Sequence, residues 1–173
     1  MKCPKCNDQL LSGGPHGTQQ CTVCGGVFSP RTRLGDLLGA ETATEAEQAA
    51  SSVGDSKAGA CPVDRVLMRR ALINLPNTKF HLERCGSCFG VWFDAGEWQS
   101  LASSQLAAQL DELWSSEWQA GQREVLDRAN YVERITEAFG ADLTGQLFSL
   151  AEALKSHPRR SQALAILREE SDD

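Results

Sequence analysis

The sequence predicts a small metal-stabilised β fold, built twice in tandem, followed by an α-helical C-terminal region. Three observations lead to this prediction. Six of the seven cysteines form three C-x-x-C pairs. The segment that follows the second pair recurs, with few changes, after the third. The chain beyond residue 98 carries apolar residues at three- and four-residue steps, which is the period of an amphipathic helix.

The first β unit is predicted over residues 1–38, where Cys3, Cys6, Cys21 and Cys24 have the spacing C-x2-C-x14-C-x2-C. Two residues between cysteines allow both sulfurs to face one ion across a tight turn, and two such turns complete a tetrahedron. These four cysteines are therefore the predicted ligands of a Zn²⁺ ion in a zinc ribbon. Iron stays open as an alternative, because sulfur-rich tetrahedral sites also bind it.

The second β unit, over residues 61–98, has the spacing C-x2-D-x20-C-x2-C, with Asp64 in the place of an eighth cysteine. Because carboxylate oxygens also bind zinc, the predicted ligands are Cys61, Asp64, Cys85 and Cys88. Two alternatives stay open. His81 could replace Asp64 as a ligand, or the second unit could hold together by apolar packing without metal.

Other uses of these cysteines are less well supported. The cysteine count is odd and Met1-Lys2-Cys3 leaves no room for a leader, so we expect the reducing cytoplasm rather than a disulfide framework. A catalytic C-x-x-C normally occurs once, after a strand, whereas these pairs are tandem. No apolar stretch approaches the roughly 18 residues of a membrane span.

The repeat extends beyond the cysteines. Residues 21–28, CTVCGGVF, align with residues 85–92, CGSCFGVW, and share a glycine, a valine and an aromatic residue at equal offsets. We therefore expect each second knuckle to lead into the same strand, with the aromatic ring beside the site. Apolar residues on both sides of Pro76-Asn77 predict a β-hairpin in the second unit.

Residues 61–98 resemble the TFIIB-type transcription-factor zinc-finger domain, a zinc ribbon that occurs in many short bacterial proteins. The family pattern is CP-x-C, a hairpin, and then C-x-x-C-x-G-[VI]-W-[LF]-D-x-G-E, and residues 85–97 have the sequence CGSCFGVWFDAGE. Residues 3–38 are a looser copy without the D-x-G-E ending. The resemblance implies a zinc-ribbon fold and zinc binding, and it implies no settled activity.

The D-x-G-E ending of this motif places two carboxylates, Asp94 and Glu97, close in sequence to the second site. Their spacing at the start of a predicted helix is typical of a capping box, in which each side chain accepts a hydrogen bond from the other residue's backbone. Capping is therefore preferred to acid–base catalysis, and no catalytic constellation is identified, so an enzyme is not expected.

Residues 39–60 are rich in Ala, Ser, Thr and Glu, which predicts a flexible linker that lets the two ribbons move independently. Residues 99–173 are predicted to be helical, with stripes that include Leu106 to Trp118, Val125 to Phe139, and Leu143 to Leu154. Gly140 and Pro158 are the expected breaks. The tryptophans are expected to pack in a core, and the alternative is a Trp-bearing face that docks on a partner or on another copy of the chain.

Charge is unevenly distributed, because residues 101–173 account for the whole formal net charge of −6. A negatively charged tail repels phosphate backbones, so a protein partner is favoured over a nucleic acid. The first functional hypothesis is therefore an adaptor that binds a protein, with the transcription or translation machinery as its setting. Basic residues in the ribbons leave a weak nucleic-acid contact as the alternative: Lys2, Lys5, Arg31, Arg33, Arg65, Arg69 and Arg70. A thiol redox sensor at the Asp64 site is the third hypothesis.

Overall fold

The computed structural model describes residues 1–6, 10–39 and 57–170, which form two compact units, Met1–Glu124 and Val125–Asp173. The first unit contains one six-stranded antiparallel sheet in the order β1-β2-β3-β6-β5-β4. The strands are β1 Leu10–Ser12, β2 Gln19–Cys21, β3 Val27–Ser29, β4 Arg69–Leu75, β5 Thr78–Arg84 and β6 Val91–Phe93. Most of the predicted linker 39–60 lies outside the described residues.

The predicted hairpin of the second unit is present. Strands β4 and β5 pair over their full length around the two-residue connection Pro76-Asn77. The inward positions alternate along both strands, and Ile73, Phe80 and Leu82 are buried. This period of two gives the hairpin one apolar face, and that face forms part of the core of the first unit.

The two β units meet through their equivalent strands. β3 pairs with β6, and Phe28 lies directly opposite Trp92, its own counterpart in the repeat. A local pseudo-twofold axis therefore passes between these two residues. The expectation that the ribbons move independently is wrong, because their strands share one sheet. Linker composition carries no information about pairing between strands that are distant in sequence.

The pseudo-symmetry continues into the core. Helices α1 (Leu34–Gly39) and α2 (Glu97–Ala102) follow the equivalent strands β3 and β6. Leu37 of α1 and Leu101 of α2, which also occupy equivalent positions, are fully buried in the same cluster. Each unit alone offers few apolar residues, so sharing one core increases the apolar area that each removes from water.

Residues 103–115 differ from the expected continuous helix. They form two short 3-10 helices, Gln105–Gln109 and Glu112–Trp114, and the Ser104 hydroxyl accepts a hydrogen bond from the Leu106 amide at 3.3 Å. Serines favour such caps over helix interiors, which explains the interruption. The expectation for the tryptophans is confirmed: Trp92 is buried, and Trp98, Trp114 and Trp118 pack against the core.

The second unit is helical. It contains the C-terminal part of α3 (Ser116–Phe139), followed by α4 (Ala141–Lys155) and α5 (Arg160–Glu169). Gly140 separates α3 from α4 with a φ of 79°, a backbone angle that favours glycine. Tyr131 and Phe148 pack ring against ring, and Arg128 lies over both. None of the described helices is long and apolar enough to cross a membrane.

Candidate metal centres

The first group of cysteines is brought together as the spacing predicts. The Sγ atoms of Cys3, Cys6, Cys21 and Cys24 all lie within 4.8 Å of one another. Cys3 Sγ lies 3.6 Å from Cys24 Sγ, and Cys6 Sγ lies 3.4 Å from Cys21 Sγ. A tetrahedral zinc ion with Zn–S bonds near 2.3 Å needs sulfurs about 3.8 Å apart. The group therefore fits Zn²⁺.

Backbone turns hold the sulfurs in place. In the first site the Lys5 amide donates to Cys3 Sγ at 3.4 Å, and in the second the Ser87 amide donates to Cys85 Sγ at 3.3 Å. The amide of Gly25 donates to the Cys21 carbonyl oxygen at 2.9 Å and closes its knuckle with a φ of 73°. Amides directed at sulfur stabilise the thiolate, which is the form that binds zinc.

The second group contains Cys61, Asp64, Cys85 and Cys88, with ligand atoms that also lie within 4.8 Å of one another. Asp64 Oδ2 accepts hydrogen bonds from the thiols of Cys85 at 3.2 Å and Cys61 at 3.7 Å. The carboxylate therefore occupies the fourth corner, where the first group has a thiol. His81 lies in β5 opposite Leu72 and belongs to neither group that the described residues form.

The thiols of the first group differ in proton affinity. Burial raises the pKa of Cys3 and of Cys24 to about 11. Burial would also raise the pKa of Cys21, but backbone hydrogen bonds from Cys24 and Val23, together with the neighbouring thiols, lower it to about 7. Zinc binding by this group must therefore displace protons from buried thiols, which makes metal affinity fall as pH falls.

The Asp64 carboxylate differs from the thiols around it. Hydrogen bonds from the Cys88 and Cys85 thiols lower its pKa, whereas burial raises the pKa of Cys88 and of Cys61. Asp64 is exposed, while Cys61 and Cys85 are buried. The second group thus combines three cysteines that are buried or half-buried with one exposed carboxylate, whereas no ligand residue of the first group is exposed.

The two groups flank a shared aromatic centre. Cys3, Cys21, Cys61 and Cys85 belong to one buried cluster with Phe28, Met68 and Trp92. The glycines that precede the two aromatic strands allow this packing. A Cβ on Gly26 would lie 2.2 Å from Trp92 Cζ2, and a Cβ on Gly90 would lie 2.4 Å from Phe28 Cζ. Each unit thus supplies the glycine that admits the other's ring, and the expected position of the aromatics beside the sites is confirmed.

Sequence reasoning missed a buried ionic network beside the first group. Lys5 Nζ lies 2.7 Å from Glu83 Oε1 and 3.3 Å from Asp94 Oδ2, and the three side chains are at most 8% exposed. The Glu83 carboxylate also accepts a hydrogen bond from the Gly59 amide at 3.2 Å. Lys5 lies inside the first knuckle and Glu83 and Asp94 lie in the second unit, so the network joins the two repeats. The sequence offered no signal, because Glu83 shares the polar register of β5 with Lys79 and His81 and alternation would place it on the outer face.

The capping box forms only in part. Glu97 Oε2 accepts a hydrogen bond from the Asp94 amide at 2.7 Å, as predicted. The Asp94 side chain makes no cap, because its Oδ1 accepts a hydrogen bond from Trp92 Nε1 at 2.7 Å instead. That half of the prediction is wrong: the buried indole N–H beside the aspartate competes successfully for its carboxylate. Both carboxylates therefore have structural partners.

Comparison with known proteins agrees with this geometry. No curated protein and no solved structure gives a significant match to the chain. Residues 60–104, which hold the second metal group and its hairpin, match the family model described as transcription factor zinc-finger, a TFIIB-type zinc ribbon.

Proposed function

We propose that the chain is a zinc-stabilised interaction module that binds a protein partner through its helical unit. In this proposal Cys3, Cys6, Cys21 and Cys24 hold one structural zinc ion. Cys61, Asp64, Cys85 and Cys88 hold a second. A closed site with four protein ligands leaves no coordination position for a substrate, which is the arrangement of structural rather than catalytic zinc.

The observation that carries the proposal is an exposed apolar stripe on α4. Leu143, Leu147 and Leu150 follow one another at helical spacing on one face, and each is between 40 and 45% exposed. Thr144 and Phe148 lie on a different face, and there they contact Ile135 and Tyr131 of α3. The leucine stripe is therefore not the surface that holds α3 and α4 together.

Charge favours a protein over a nucleic acid as the partner. Residues 125–173 carry nine acidic and six basic side chains, so this part of the chain has a net negative charge. An apolar stripe on a unit of net negative charge suits an apolar segment flanked by Lys or Arg, and such a unit repels phosphate. A setting in transcription or translation is part of the proposal and rests on the description of the matching family.

A direct test compares two double variants of the full zinc-loaded chain as baits in a quantitative capture experiment. Leu143→Glu with Leu147→Glu disrupts the stripe. Gly145→Glu with Ser149→Glu adds the same charge at the same spacing to exposed positions on the opposite face of the helix. We expect the wild type and the control to retain a partner that the first variant does not retain. The purified partner should then bind the wild-type chain in a titration. Equal capture by all three baits contradicts the proposal.

The alternative is nucleic-acid binding by the ribbons, which exposed Arg31 and Arg33 support. Two of the basic residues named for it are engaged elsewhere, because Lys5 is buried in the ionic network and Arg70 Nε lies 3.8 Å from Glu83 Oε1. Anisotropy titrations of labelled RNA and DNA at low and high salt test this alternative. Binding that is strong, weakens steeply with salt and is lost on Arg31→Gln would favour it over the protein partner.

The third candidate is a thiol redox sensor at the Asp64 site, which the exposed carboxylate corner supports. Peroxide should then release zinc from the second group before the first, and thioredoxin should restore metal binding, as expected for reversible thiol oxidation. Equal zinc release from both groups would remove this candidate.

A further inference from the structure

A cavity of about 500 Å³ lies within the first unit, beside the second metal group. Three segments line it: α1 of the first repeat, the ends of β5 and β6 in the second, and the 3-10 turns up to Trp114. The volume is within the range of small-molecule sites, roughly 300–1,000 Å³. Its formation requires both repeats, so neither ribbon alone would contain it.

Most of the cavity wall is apolar. Its lining includes the side chains of Leu34, Leu38, Val91 and Leu110. Gly35 of α1 also lines the cavity, and a Cβ placed there would meet no atom within 4 Å. The wall therefore suits an apolar group, and Gly35, which is exposed, can take a larger side chain without a clash in the folded chain.

Two guanidinium groups face one carboxylate at the cavity. Arg31 and Arg84 share the carboxylate of Asp111 at 3.7 and 3.6 Å, beyond hydrogen-bond distance, and neither guanidinium has a hydrogen-bonded acceptor within the described chain. The Arg84 guanidinium also lies 4.6 Å from the centre of the Trp114 ring, and its side chain is 18% exposed. A largely buried cation of this kind would gain free energy from an anionic ligand within hydrogen-bond distance.

An unusual backbone angle places an aromatic ring at the same position. Phe89 has a φ of 58°, which is rare for a bulky residue, and its equivalent in the first repeat is Gly25 with a φ of 73°. The knuckle therefore does not require a phenylalanine there. The ring is 43% exposed and lies 5.7 Å from the Arg31 guanidinium and 5.9 Å from that of Arg84. Arg65, which follows Asp64 in the other knuckle of the same unit, has a φ of 62°, so the knuckle sets this angle. What is particular to this position is the bulky, exposed ring.

We propose that this cavity binds a carboxylate that bears an apolar substituent. The carboxylate would accept hydrogen bonds from Arg84 and Arg31, and the apolar group would lie against the leucine-lined wall. Two arginines and one aspartate give the lining a net charge of +1, which matches a monoanion better than a dianionic phosphate. In the sheet Arg69 lies directly opposite Arg84, and a bound anion would relieve this like-charge pair.

The first test titrates the full zinc-loaded chain with octanoate, octan-1-ol and octyl phosphate by calorimetry. We expect saturable binding of octanoate and at least tenfold weaker binding of the alcohol and the phosphate ester. Two further probes, a leucine-terminated peptide with a free or an amidated carboxyl end, distinguish a small organic acid from a protein C-terminus. Binding of either free acid supports the site, and tight binding of octyl phosphate or of the alcohol overturns the carboxylate assignment.

Variants locate the site. Arg84→Gln should weaken octanoate binding at least tenfold, whereas Lys79→Gln, which removes an exposed cation of the same strand outside the lining, should change it less than twofold. Gly35→Leu should fill the cavity and abolish binding while the chain stays folded, because leucine favours the helix over glycine. Equal binding by wild type and Gly35→Leu, or no saturable binding of either free acid, overturns the inference. The site does not depend on the proposed protein partner.

Discussion

The buried Lys5 amine should be a major determinant of stability, and Lys5→Met tests this. Methionine keeps the length of the side chain and removes its charge, so Glu83 and Asp94 are left facing each other without their shared cation. Breaking a buried ion pair by removing one partner typically costs about 3–5 kcal/mol. Arg70 remains 3.8 Å from Glu83 and compensates in part, so we expect a loss of about 3 kcal/mol.

Tryptophan fluorescence measures this loss selectively, because all four tryptophans lie in Met1–Glu124. Urea unfolding should be followed at a buffered free zinc concentration, since bound metal itself stabilises the folded state. For a unit of this size the expected loss corresponds to a decrease in Tm of about 10–15 °C. Lys2→Met, an exposed lysine of the same segment, is the matched control and should change stability little.

The pH dependence and a double variant complete the test. Although burial opposes its charge, the Glu83 and Asp94 carboxylates raise the pKa of Lys5 above its usual value. Its contribution is therefore fully present below the usual lysine pKa and is lost only as pH rises through the raised value, so the Lys5→Met penalty should be equal at neutral pH and about pH 9. Adding Glu83→Gln should recover part of the loss. A penalty equal to that of Lys2→Met would refute the reasoning.

Three further predictions follow. Gly26→Ala should cost at least about 2 kcal/mol, because its Cβ would overlap the Trp92 ring, whereas Gly86→Ala, where nothing lies within 4 Å, should be tolerated in the same urea assay. Elemental analysis should find two zinc ions per wild-type chain and one in Asp64→Ala. Asp64→Cys should slow the loss of zinc to a chelator. Two zinc ions in Asp64→Ala would show that the second site does not need the carboxylate as a ligand. Phe89→Gly should change the free energy of unfolding by less than about 1 kcal/mol, because relief of the left-handed backbone strain offsets the lost ring contacts. The same variant should weaken octanoate binding severalfold. An unfolded variant would mean that the ring has a structural role.

The sequence predicted what is local. C-x-x-C spacing determines which sulfurs can share an ion, and the hairpin around Pro76-Asn77 follows from alternation and turn residues within one short segment. The helix breaks at Gly140 and Pro158 are likewise set by the backbone limits of single residues. Such features need no knowledge of the rest of the fold.

What the sequence did not predict depends on contacts between distant segments. The pairing of Phe28 with Trp92 and the ion pair of Lys5 with Glu83 connect residues that are more than sixty positions apart. The repeat did contain a signal, which is the glycine that precedes the aromatic residue in both units. Because the equivalent strands pair around a pseudo-twofold axis, each of these glycines contacts the aromatic ring of the other repeat. That signal becomes interpretable only when the two units are known to pair.

The departures from this symmetry show how the two repeats have specialised. Phe89 of the second unit lies near Arg31 of the first. The equivalent pair on the other side of the axis is Gly25 and Ala95, and a Cβ added to Gly25 would lie 3.3 Å from the Ala95 side chain. The same backbone arrangement thus carries an exposed ring and a cation on one side and two small residues on the other. The ionic network is equally one-sided, because the positions equivalent to Glu83 and Asp94 are Gln19 and Pro30. Metal binding and strand pairing explain what the repeats share, and neither requires these differences. The ionic network acts in stability, whereas a ligand bound in the cavity beside Phe89, as proposed above, would account for the exposed ring and the cation on that side of the axis.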